Sequence, residues 1–83
     1  MEPRLILNTE IKKMLIDEFG ISVANIIILS NSQKLRLSLL NLNKQDYLGL
    51  VRGICEDPKL IARWGLTRCQ EQEALWESLV EKE

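Results

Sequence analysis

The run from Asn25 to Leu42, NIIILSNSQKLRLSLLNL, constrains this chain most, because it is both its most apolar and its most β-like segment. Ile26, Ile27 and Ile28 are branched at Cβ and stiff at χ1, which suits a pleated surface, and Ser30, Asn31, Ser32 and Gln33 have turn chemistry. Leu35, Leu37 and Leu39 then alternate with Lys34, Arg36 and Ser38. In an extended chain the three leucines would share one face. The expectation is a β-hairpin over about 25–42. The pattern indicates a fold but no chemistry.

The segments before it extend that expectation. Arg4 to Leu7 reads as a brief first strand, followed by Asn8 or Thr9 as an N-cap and a helix to Phe19, with apolar residues mainly at helical spacing and Gly20 as its stop. Strand–helix–strand order predicts a parallel pair joined by a right-handed crossover. Ile26 to Leu29 is apolar on both faces and belongs at the centre of a three-stranded sheet, with Leu35 to Leu39 on an edge bearing Lys34 and Arg36. The rival reading is an all-α small bundle, with two short helices starting after Ser22 and Ser32. Leucine is a good helix former, but four β-branched residues between Val23 and Ile28 weigh against it.

From Asn43 the signals are helical. Asn43 as N-cap and Asp46 at N3 open a helix through Cys55, in which Gly49 and Gly53 each cost about 1 kcal/mol relative to alanine and are either simply tolerated or mark a close backbone approach. Asp57 and Pro58 restart the chain as N-cap and N1 of a helix ending at Trp64 and Gly65. Thr67 and Gln70 form a capping-box pattern ahead of a last helix with Cys69, Leu75, Trp76, Leu79 and Val80 on one face. The reading is an α+β single domain over 1–83: a small three-stranded sheet, one N-terminal helix and a C-terminal half of three helices.

The formal net charge is −1, which disfavours bulk electrostatic binding of nucleic acid. No apolar run approaches the roughly 20 residues of a membrane span and Met1 to Leu7 lacks a signal-peptide layout, so the expected location is the cytoplasm. Cys55 and Cys69 form neither a C-x-x-C pair nor a secreted framework, and the chain has no histidine. Neither a zinc site nor a cofactor is expected, and a nucleophilic Cys or Ser would have no imidazole base. Glu56 and Asp57 are adjacent carboxylates, but Pro58 beside them points to helix capping.

The segment from Pro58 to Leu79 resembles a helix-turn-helix, with LIARWGLTR leading through a Gly65 turn into QEQEALWESL. The resemblance implies nucleic-acid binding by the second helix. However, Ile61 stands where that pattern usually has alanine, and the second helix carries Glu71, Glu73, Glu77 and Glu81 against Arg68 alone. Phosphates would repel it. A basic set of Lys12, Lys13, Lys34 and Arg36 has no interleaved aromatic for stacking on bases.

The expected function is therefore that of a non-catalytic protein-interaction or regulatory module whose partner is another protein or a second copy of this chain, with a small nucleic-acid-binding regulator as the alternative. Candidate partner-binding residues are the acidic row Glu73, Glu77 and Glu81, the basic pair Lys34 and Arg36, and the two tryptophans, Trp64 and Trp76.

Overall fold

Pro3, with its fixed φ and no N–H to lose, opens the first helix in a computed structural model that describes residues 2–81. Helix α1 (Pro3–Ile6) passes through Leu7 at φ −58°, ψ −47° into a π-helical segment (Leu7–Ile11) and on into α2 (Lys12–Phe19) without a break. Residues five apart diverge by about 140° around an α-helix, and the wider π turn reduces that divergence. Ile6 and Ile11 are consequently both fully buried, with Leu7 and Leu15 beside them. This corrects the expected first strand at Arg4–Leu7. Thr9 lies inside the helical rod rather than capping it, and its hydroxyl donates to the Leu5 carbonyl at 2.7 Å.

The larger correction concerns 25–42. Ile21–Lys34 is a single 14-residue helix, α3, and no strand occurs among the described residues, so the fold is all-α rather than α+β. The central hairpin, the three-stranded sheet and the parallel crossover do not exist. The rival pair of short helices is not found either, because α3 runs unbroken across Ser32. β-Branching costs a helix only a few tenths of a kcal/mol per residue. Ala24, Ile27 and Ile28 lie on one helical face and are buried, which contributes several times that amount.

The helix ends without a glycine. Arg36 adopts the left-handed conformation at φ 57°. Its N–H donates to the Gln33 carbonyl at 3.1 Å, and the Leu37 N–H donates to that of Ser32 at 2.9 Å. These two bonds make a Schellman motif, and the partly buried Leu37 supplies its usual apolar contact with the core. The leucine alternation beyond is real but has no strand partner: Leu37 and Leu39 pack on the core, Leu42 is buried and Leu40 is exposed. It lays an irregular loop over the core instead of pairing an edge.

Helix α4 (Lys44–Cys55) begins as its cap residues require, with the Asn43 side chain accepting from the Asp46 N–H at 2.8 Å. Asp57 caps α5 (Pro58–Trp64), accepting from the Lys59 N–H at 2.9 Å. The last helix, α6 (Leu66–Glu81), starts two residues earlier than the Thr67 capping box would place it, so Thr67 sits within its first turn. Gly65, at φ 85°, ψ 156°, is the single residue between α5 and α6, and Gly20, at φ 86°, ψ 162°, plays the same part between α2 and α3. Only glycine enters that region of φ/ψ without strain. Each corner therefore folds two helices against each other with no loop.

Helices α2 and α3 pack as one pair and α4 and α6 as another, the latter antiparallel because Lys44 meets Glu81 and Tyr47 meets Trp76. The π segment's Ile11, with Leu15, Ile27, Tyr47, Leu50 and Ile54, fills the space between the pairs. The Tyr47 hydroxyl donates to the Trp76 carbonyl within that core.

Candidate interaction surface

The acidic row lies along the seam between α6 and α4. Glu81 pairs with Lys44 at 3.1 Å, and Glu73 and Glu77 are only partly exposed. Burial, reinforced by Glu77, raises the Glu73 pKa, while Arg52 on α4 pulls it down. Much of the row's charge is thus directed at Lys44 and Arg52 of its own chain. An antiparallel neighbour carrying cations at matching intervals explains why a like-charge ladder is tolerated on α6.

Trp64 and Trp76 are both buried, with ring centroids 6.5 Å apart, and Phe19 packs on Trp64 at 6.3 Å. The two glycine corners meet here. Glu18, just before the first corner, contacts Arg63 Nε at 3.2 Å and Arg68 at 3.7 Å on either side of the second, and the Arg68 guanidinium lies 4.9 Å from the Trp64 ring centroid. The Arg63 contact foremost holds the Glu18 carboxyl below its ordinary pKa; desolvation, next in size, opposes it, and Trp64 and the charges of Arg63 and Arg68 add to the lowering. Trp64 Nε1 is buried and has no hydrogen-bond partner of normal geometry.

Lys34 and Arg36 are exposed at the C-terminal end of α3. Lys34 borders a cavity of about 470 Å³ between α3 and α4, lined also by Leu35, Gly49, Arg52, Glu56 and Asp57. At its floor the buried Asn31 amide donates to Asp57 at 3.2 Å and to the Ile27 carbonyl at 2.7 Å. Gly53 faces Asn31 so closely that a Cβ there would lie 3.2 Å from Asn31 Oδ1, whereas a Cβ at Gly49 would meet nothing nearer than 4.0 Å. The close backbone approach expected at both glycines is found at neither: the atoms nearest Gly53 belong to the Asn31 and Leu35 side chains. Cys55 and Cys69 are free and buried; burial pushes the Cys55 thiol up to about 12 and also raises Cys69.

The surface that sequence reasoning missed is the outer face of α3. No charged residue occurs between Glu18 and Lys34. A surface helix usually has charges on its solvent side, yet here Ser22, Ile26, Leu29 and Gln33 form the outward stripe, with Ile26 53% and Leu29 49% exposed. Beside them runs a shallow groove lined by Leu7, Asn8, Lys12, Asn25, Ile28 and Leu39. The signal was present as the long uncharged run, but a strand reading assigns both of its faces to the interior. Among the described residues no helix is long and apolar enough to cross a membrane. No family model matches this chain, and neither the curated proteins nor the solved structures contain a significant match to it.

Proposed function

We propose that this protein is a non-catalytic protein-interaction module that docks its partner on the uncharged outer face of α3. The observation that carries this reading is the exposure of Ile26 and Leu29 at the centre of a helix face that itself carries no charge between Ile21 and Gln33, beside a groove whose lining includes Lys12. An apolar centre with a polar rim is the make-up of a protein interface rather than of a solvated helix face. The two buried free thiols suit a reducing compartment such as the cytoplasm.

A photo-crosslinking amino acid at position 26, compared with the same group at the exposed Glu71 of α6, tests this in cells. The expected result is a discrete cross-linked species from position 26 and none from position 71. Identical patterns from both positions, or no product from either, would refute the docking face.

A further inference from the structure

The cavity of about 470 Å³ between α3 and α4 is polarised along its length. Asn31 meets Gly53 and Asp57, while Leu35, one turn further along α3, reaches Gly49, one turn earlier on α4. The two helices therefore run antiparallel at this point. Lys34 follows Asn31 on α3 and Arg52 precedes Glu56 on α4, each by about one turn, so both cations are displaced towards the same end by about 5 Å. The other end holds the Glu56 and Asp57 carboxylates and the Asn31 amide.

Asn31 is only 6% exposed, and the direction of its amide is fixed. Its Nδ2 donates to the Ile27 carbonyl and to the Asp57 carboxylate, and both of those groups can only accept. No described residue donates to Oδ1, which is turned towards Gly53. A buried acceptor without a donor on the wall of a cavity is a place for a ligand N–H. Gly49 gives a second sign. Glycine inside a helix costs stability relative to alanine, yet packing does not require it here, because a Cβ would meet nothing nearer than 4.0 Å. Gly49 and Gly53, four residues apart, leave a bare trough along α4, with the exposed Leu35 and Pro58 as its apolar border.

We infer that this cavity binds a free α-amino acid with an apolar side chain. Its ammonium group donates to Asn31 Oδ1 at the end where Glu56 and Asp57 lie. Its carboxylate takes Lys34 and Arg52, neither of which forms a contact ion pair with another described residue. Its side chain lies in the glycine trough against Leu35 and Pro58. A plain acid would be repelled at the carboxylate end and a plain amine at the cationic end, so only a molecule carrying both charges is matched throughout. The volume falls within the roughly 300–1,000 Å³ of small-molecule sites. The site shares no residue with the outward stripe of α3 and stands independently of the docking reading.

Titration of the isotope-labelled full chain with L-phenylalanine and with L-leucine, followed by amide NMR spectra, tests this. Each should give saturable shifts at the Gly49 and Gly53 N–H groups and at the Asn31 side-chain amide. A Kd of about 1 mM or below is expected for a ligand of about ten heavy atoms. Phenylpropanoate lacks the ammonium group and phenylethylamine lacks the carboxylate, and each should bind at least tenfold more weakly than L-phenylalanine. Gly49→Ala keeps the fold, since the added methyl displaces nothing, and should weaken L-phenylalanine binding at least tenfold by filling the trough. No saturable shift with either amino acid overturns the inference. A one-charge probe that binds as tightly as L-phenylalanine overturns the need for both charges, and undiminished affinity in Gly49→Ala overturns the placement against α4.

Discussion

Tyr47→Phe removes one oxygen atom from the centre of the molecule. Tyr47 is fully buried in α4, and its hydroxyl donates to the Trp76 carbonyl on α6. Keeping the ring preserves the packing, so the loss is that of a buried hydrogen bond, about 1 to 1.5 kcal/mol. For a domain of this size that corresponds to a fall in Tm of roughly 5–10 °C near pH 7. The effect should also depend on pH with a definite sign. Burial foremost, then the charge of Glu77, raises the Tyr47 pKa in the folded protein above its ordinary 10.0. A group whose folded pKa is raised stabilises the fold fully below its unfolded pKa, and that stability is lost as pH climbs above it. Each unit above about pH 10 should therefore cost the wild type about 1.4 kcal/mol that Tyr47→Phe does not lose, which closes the gap near pH 11. Urea unfolding of the pair at pH 7, 9, 10 and 11 supplies the comparison. Midpoints that coincide at pH 7, or a gap that is constant up to pH 11, would show that the hydroxyl is not buried against Trp76.

Arg36→Gly should raise stability by about 1 kcal/mol, because the residue sits at φ 57° in the Schellman turn; a fall in Tm would show that the arginine side chain has a stabilising contact of its own. Gly49→Ala should stabilise by up to about 1 kcal/mol, since its Cβ would meet nothing nearer than Leu35 Cδ1 at 4.0 Å, whereas Gly53→Ala must displace Asn31 and should gain less or destabilise; equal effects in chemical denaturation would refute the close contact at Gly53. At pH 8 neither Cys55 nor Cys69 should label with a thiol reagent until the protein is unfolded, the Cys55 thiol being pushed up to about 12 by burial, and rapid native labelling would contradict that. Glu18→Gln should lower stability at pH 7, and the difference should vanish as pH falls through and below 4.5, because a carboxyl held low in the fold stabilises above its unfolded pKa and loses that contribution when protonated; a pH-independent difference would remove the ion pairs with Arg63 and Arg68 as its source.

Where the chain determines its own course locally, the amino-acid sequence was sufficient. Asn43 with Asp46 and Asp57 with Pro58 start α4 and α5 through bonds between residues two or three apart, and Gly20 and Gly65 stop helices because only glycine reaches their φ/ψ region. Tertiary structure alone decided the rest. Residues 21–34 are helical because Ala24, Ile27 and Ile28 find a core on one side, and that burial outweighs a propensity difference too small to settle a short apolar run. The placement of the acidic row against Lys44 and Arg52 depends on α4 and α6 running antiparallel, and no spacing within α6 encodes that. The exposed Ile26–Leu29 stripe was equally illegible: an isoleucine in a sequence has no sign of which side it faces until the helices around it are packed.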